Sequence, residues 1–435
     1  MLERVPVAFL AIAVLEACRH SPEAAPAKND GLHTAKRPDA SEPWTRQFGT
    51  AHVDLAHALA VDARGNVFVA GSTDGVLPGQ ASAGKTDAFV RAYDASGREL
   101  WTHQFGTSAL DSANGIAVDA SGNVLVTGTT MGALPGQTNA GEEDVFVRKY
   151  DASGKQLWTR QFGSTKTEFA TAIAVDASGN AVVVGLTRGA LPGHTSEGDD
   201  AFVRAYDPSG KELWTVQFGG SQIDVAQSVA ADASGNVFVA GSTRGTLPGQ
   251  TSSGADDAFV RSYDRSGKER WTKQFGTSQL DEAYGVVVDG AGNVVVAGHT
   301  EGTLPGQSSA GGRDGFVRSY DPSGNERWTR QFGSGQFDQV RGIAVDLSGN
   351  LLVGGFTVAS LPGKTSVGKE DAFVQSYQGS GKHRWTKQFG TDVYDSVDGI
   401  AVDGSGKVLV VGSTMGALPG QTSSGSFDVF VMRMP

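Results

Sequence analysis

A chain of 435 residues is long enough for two or three domains unless it is built from repeats. Its net charge of −11 excludes a nucleic-acid partner, because phosphate binding needs lysine and arginine clustered on one face. The single cysteine, Cys18, excludes an internal disulfide and a thiolate metal cluster.

In chain order, Arg4 precedes an apolar run from Val5 to Leu15. That run is too short to span a bilayer and suits the core of a secretory signal. It ends in Leu15-Glu16-Ala17-Cys18, which resembles the lipobox of bacterial lipoproteins. The resemblance implies cleavage before Cys18 and acylation of its sulfur and new amine. Glu16 departs from the small or apolar residue usual there. The alternative is ordinary secretory cleavage near Ala25-Pro26-Ala27, which discards Cys18. Both readings export the mature chain, and Arg19 after the cysteine points to the outer membrane or cell surface, with a periplasmic face as the other orientation. We therefore expect a signal over residues 1–18 and a flexible tether over 19–43, rich in Pro, Ala and charge.

Residues 44–435 repeat. Trp44, Trp101, Trp158, Trp214, Trp271, Trp328 and Trp385 are 56 or 57 residues apart and use every tryptophan in the chain. The one missing residue falls between Pro192 and Asp200, in a stretch read as loop. In the second copy, "GIAVD" (115–119) leads through "ASGN" to "VLVTG" (124–128). A long polar loop follows, then "DVFVRKYD" (144–151), the turn "ASGK", and "QLWTRQFG" (156–163). Asp or Asn with Gly in the short turns supplies the side-chain cap and the positive-φ position that a tight hairpin needs.

Four strands repeated seven times predict an all-β fold, a seven-bladed β-propeller of four-stranded antiparallel blades. Each blade packs between two others, so its strands are apolar on both faces. The chain opens on a lone strand, Trp44 to Phe48, and ends at "VFVMRMP", where blade seven's fourth strand should start. Pairing these two segments closes the ring and removes an open sheet edge.

The segments "GIAVDASGNVLVTG", "LPGQ" and "DVFVRKYDASGKQLWTRQFG" resemble bacterial SBBP-type β-propeller repeats. That family implies an exported or surface-attached propeller of mostly unassigned role. "GIAVD…GN" also resembles NHL repeats, which would put that strand innermost. "YDASGKQLW" is similar to the tryptophan-docking repeat of quinoprotein propellers.

Because the copies are so alike, recurrence alone does not mark function. The tryptophans, and the phenylalanines four residues on, are expected to pack blade against blade. The glutamines between them (Gln104, Gln161, Gln217) are expected to pair with the next blade's backbone. Two carboxylate series recur: Asp54, Asp111, Glu168, Asp224, Asp281, Asp338 and Asp395, and Asp87, Asp144, Asp200, Asp257, Asp314, Asp371 and Asp428. Both belong at the end of the blades away from the tight turns. They pin loops to adjacent blades or, as a ring of hard oxygen ligands, attract Ca²⁺, the one cofactor the chain suggests. The loops Leu77, Pro78, Gly79 and Gln80, with Gln137, Gln250, Gln307 and Gln421, offer similar polar patches for repeated ligands.

Catalytic patterns are thin. None of the eight histidines recurs, which argues against zinc. His52, Asp54 and His57 form the one local His/Asp group. No G-x-S-x-G elbow occurs. Variation looks confined to scattered loop positions, too uniform elsewhere for one asymmetric active site. The reading is a lipid-anchored, monomeric, non-catalytic scaffold binding an envelope or extracellular protein. The alternatives are a lectin for polysaccharide and a quinoprotein-like or lyase/hydrolase enzyme.

Overall fold

The computed structural model describes residues 42–435. Cys18 with its lipobox, and nearly all of the tether, lie outside the described residues. Twenty-eight strands, β1 to β28, fall into seven four-stranded antiparallel sheets, and the described residues form no helix. Blade 1 runs β2 (Asp54–Val61), β3 (Val67–Thr73), β4 (Asp87–Tyr93) and β5 (Glu99–Phe105) in spatial order. The first strands of blades 2 to 7 are β6 (Asp111–Val118), β10 (Glu168–Val175), β14 (Asp224–Ala231), β18 (Asp281–Val288), β22 (Asp338–Val345) and β26 (Asp395–Val402). These strands start four residues before "GIAVD". In their first halves the opening carboxylate recurs, but the fourth residue differs in every copy.

Blade 7 is completed from the other end of the chain. β1 (Trp44–Phe48) pairs antiparallel with β28 (Asp428–Arg433), Trp44 opposite Arg433 and Phe48 opposite Val429. First strands of neighbouring blades touch all the way round, from β2 on β6 to β26 on β2. The "GIAVD" strand is therefore innermost, as the NHL resemblance implied. Second and third strands such as β3 and β4 are buried along their whole length, which is why "VFVAG" and "AFVRAY" do not alternate.

The aromatics join the blades. Trp101 donates its indole N–H to the Ala152 carbonyl of blade 2 at 3.3 Å. Its ring lies on Gly154, whose φ is 86° and where a Cβ would fall 2.8 Å from the ring. Glycine is required there on both counts. Phe105 meets Phe146 edge-on at 5.6 Å, and the Arg148 guanidinium sits 4.0 Å over the Phe105 ring. The closing strand does the same to blade 1, Trp44 bonding the Ala95 carbonyl at 3.2 Å and Phe48 meeting Phe89 at 5.8 Å.

The glutamines correct an expectation. Gln104 donates to the Gly75 carbonyl at 2.8 Å and to Asp87 at 2.7 Å, and accepts the Leu77 N–H at 2.9 Å. All three partners belong to its own blade, not the next, because the long loop folds back over the end of its own outer strand. Gln47 makes the same three bonds into blade 7, to Gly416, Asp428 and Leu418. Side-chain chemistry thus reads β1 as blade 7's fourth strand.

Candidate functional site

Every inner strand carries a bulge at its fourth residue. In β2, Ala56 pairs with Gly71 and Ala58 with Ala70, so His57 has no cross-strand partner. Asn114, Thr171, Gln227, Tyr284, Arg341 and Asp398 are skipped in the same way in the other six blades. No two of these seven residues are alike, and all are half-buried on the strands that surround the axis. A bulge re-aims the side chain it frees and recurs beside binding sites. Variation is therefore found in a ring at the axis as well as at loop positions. Lining up the seven copies at the fourth residue of each inner strand would have shown it.

The ring is polarised. Arg341 bonds Asp398 at 2.8 Å, and the hydroxyls of Ser396 and Ser413 donate to the same carboxylate at 2.9 and 3.0 Å. Burial pushes the Asp398 carboxyl up, against the pull of Arg341. His57, 3.1 Å from the Ser72 hydroxyl, is brought down to about 4 by burial first and by Arg341 second. It touches the axial space, but the walls hold it away from bulk water, so it stays neutral. In blade 5, Tyr284 donates to Glu282 at 3.0 Å, and His299 lies 3.0 Å from the same carboxylate and stacks on Tyr284. Burial opposes the Glu282 charge, yet the His299 and Tyr284 bonds leave it below the usual range. Blades 2 to 4 contribute neutral Asn114, Thr171 and Gln227. Two of these bond onward, Asn114 to the Ala170 carbonyl at 2.8 Å and Thr171 to that of Ala226 at 2.6 Å.

The two carboxylate series do lie at the end away from the tight turns, but as buried pairs rather than an open charged mouth. Asp54, Asp111, Glu168, Asp224, Asp281, Asp338 and Asp395 are each at most 2% exposed. Each accepts from the residue four positions before it. Asp111, for example, takes the Thr107 N–H at 2.6 Å and its hydroxyl at 3.0 Å. The second series accepts loop amides, as Asp428 does from Ser424 at 2.7 Å. At six of the seven junctions the series meet over a glycine. A Cβ at Gly106 would lie 2.6 Å from Asp111 Oδ2 and 2.9 Å from Asp87 Oδ1. At four junctions, such as Asp257 with Asp281, Oδ1 of both acids has no hydrogen-bond partner. Among the described residues, no three or more His, Cys, Asp or Glu side chains converge as metal ligands. His52 and Asp54 are not brought together, since Asp54 bonds Thr50 and His57 bonds Ser72.

One consequence is testable. Burial first, and Asp257 among the lesser causes, push the Asp281 carboxyl above its ordinary value. A group whose pKa is raised by folding favours the folded state at low pH and loses that contribution as pH rises through the raised value. Asp281→Asn keeps an oxygen for Thr277 and removes the buried charge that Asp257 opposes. We expect it to stabilise the fold by about 1 kcal/mol at pH 8, the gain fading on acidification. Thermal melts across pH check this. Ca²⁺ held between the pair would reverse the sign, and EGTA would then lower the wild-type melting temperature.

The long loops are tied inward. Leu77 is fully buried between blades, whereas Pro78 and Gly79 are exposed. Gln80 accepts the Gln104 N–H at 3.0 Å, and Gln137, Gln250, Gln307 and Gln421 cap the outer strands of their blades likewise. Their carbonyl oxygens serve the fold.

Residues 44–78, 100–134, 213–247, 270–304 and 327–359 match the SBBP β-propeller repeat. The chain carries SBBP β-propeller repeats. It is 28% identical over 363 residues to the regulatory protein FlaEY of Caulobacter vibrioides, covering 72% of this chain and 38% of that protein. It is 26% identical over 255 residues to an uncharacterised WD repeat-containing protein, L264, of Acanthamoeba polyphaga mimivirus, covering 47% of this chain and 18% of that one. The SBBP propeller thus spans well under two thirds of either relative. Among solved structures it is similar to Sqt1 from Chaetomium thermophilum, with 12% identity, TM-score 0.47 and coverage of 91% and 100% of the two chains. It is also similar to YCF48 bound to a D1 peptide, with 12% identity, TM-score 0.45 and coverage of 92% and 100%. A gluconolactonase from Xanthomonas campestris aligns with 13% identity, TM-score 0.39 and coverage of 96% and 99%.

Proposed function

We propose that this SBBP propeller is an exported, lipid-anchored, monomeric scaffold that docks a protein partner of the bacterial envelope on its axial face. The observation that carries the reading is the bulge ring. Seven blades of one design differ in residue type where their inner strands face the axis, and a single asymmetric surface suits a single partner. The long loops support it by contrast, because their shared residues are occupied within the fold. FlaEY is described as a regulatory protein, which agrees with a non-catalytic role.

Cross-linking in intact cells of the native host tests this. Leu110 and Phe337 stand at the axial face and are each 37% exposed, while Leu157 lies 47% exposed on an outer strand. Leu110→Asp and Phe337→Asp should abolish capture of the wild-type partner, and Leu157→Asp should not. Capture surviving both axial changes, or lost through Leu157→Asp alone, would reject the axial face.

A further inference from the structure

One position beyond the carboxylate pairs, the blades are joined by a continuous belt of residues at the axial face. In each junction the residue before an inner strand bridges the residue before the previous blade's third strand, as Val53 does Phe427 and Tyr394 does Glu370. The same residue accepts the N–H at the start of its own blade's long loop, Val53 from Asp74, Phe337 from Val358 and Tyr394 from Met415. In each blade, the residue that starts the long loop faces the one that ends it across the hairpin.

Charged members of the belt are normally paired across that hairpin. Arg188 meets Asp199 at 3.4 Å, Arg244 meets Asp256 at 2.8 Å, Arg313 meets Glu301 at 2.6 Å, and Thr86 bonds Asp74 at 2.6 Å. Blades 2 and 6 break this rule: in blade 2 Glu143 faces Met131 without an ion pair among the described residues but lies beside the polar Thr167, whereas blade 6 sets its acid among apolar neighbours. Glu370 faces Val358 and makes no ion pair among the described residues. Its neighbours round the belt are Phe337, Val358, Tyr394, Met415, Phe427 and Val53, an unbroken apolar arc over blades 6, 7 and 1 apart from Glu370 itself. All are half-buried except Phe337, which is exposed. The nearest cation on the belt's own strand, Lys369, lies over the Tyr394 ring at 5.1 Å. Beneath the arc, Arg341 is engaged with Asp398. Burial raises the Glu370 carboxyl, with Arg341 opposing and Asp398 adding to the rise. Arg341 is committed to Asp398 and Lys369 to the Tyr394 ring, which leaves Glu370 in an apolar frame with no cation paired to it among the described residues.

We infer that the apolar arc of blades 6, 7 and 1 holds a polypeptide segment presenting a lysine or arginine between large apolar residues, its cation seated on Glu370. The inference rests on the protein-docking reading and names the chemistry of the partner. An unpaired, partly desolvated carboxylate gains more from an incoming cation than a solvated one, and the apolar flanks exclude water from that pair.

Selection of a phage-displayed random peptide library on the full chain, with binding measured by fluorescence polarisation, tests it. Recovered peptides should carry a basic residue flanked by apolar ones. Glu370→Gln should weaken them about tenfold and Val358→Lys more, while Arg244→Ala, on the opposite arc, should leave them unchanged. Glu370→Gln should not lower the thermal melt, which separates lost binding from lost folding. Recovery of no peptide, of peptides without a basic residue, or of peptides indifferent to Glu370→Gln would overturn the cation seat. Peptides that ignore Glu370→Gln but fail on Leu110→Asp would overturn it while leaving axial docking intact.

Discussion

Deleting Trp44–Gly49 should open the ring and cost on the order of 5 kcal/mol or more. Trp44 is buried, and Phe48 packs on Phe89 and under Arg91. Truncating a core aromatic typically costs about 3–5 kcal/mol. The deletion also strips Gln47 from three bonds that hold the blade 7 loop. It leaves the backbone of β28 unpaired, an edge that seeks another strand. The expected result is a melting temperature lower by several degrees, with dimers and larger species by size exclusion as β28 pairs between copies. A synthetic peptide of residues 44–49 should restore the monomer by strand addition. An unchanged melt and elution volume would mean that closure contributes nothing.

Arg341→Met should be nearly as costly, for an electrostatic reason. Its side chain is 28% exposed and that of Asp398 is 7% exposed, so the change strands a carboxylate that only two serine hydroxyls support. Breaking such a buried pair costs about 3 kcal/mol, and replacing both partners by apolar residues recovers most of it. Arg341→Met with Asp398→Leu should therefore melt closer to wild type than Arg341→Met alone. His57 reports on the same change. Its folded pKa lies below the unfolded value, so its contribution is present above the ordinary histidine range and is lost as pH falls toward about 4. Removing Arg341 should narrow that window, visible as a difference in acid stability between variants with His57 and with His57→Gln. Acid stability of Arg341→Met indistinguishable from wild type would contradict the coupling.

The repeat, the strands and the closure were legible in the letters, because each depends on local patterning: aromatic spacing, Asp-Gly turns, and a chain that starts and stops mid-blade. The glutamine pairing was misplaced by one blade, since a residue's sequence does not say over which strand end a long loop will fold. The carboxylates were found but not their burial. Asp257 and Asp281 lie 24 residues apart and meet only when two blades are pressed over Gly276.

The bulge ring and the belt escaped for a related reason. The ring residues, such as His57, Arg341 and Asp398, differ in every copy, and the belt residues, such as Val358, Glu370 and Tyr394, follow no consistent pattern, so neither carries a repeated signal. Sequence alone determined a closed wheel of seven blades, because hydrogen-bonded hairpins and interblade aromatics are specified within one repeat. Only the tertiary structure decided which unlike side chains share the axis. That grouping is created by curvature of the whole ring, which brings residues hundreds of positions apart within reach of one ligand.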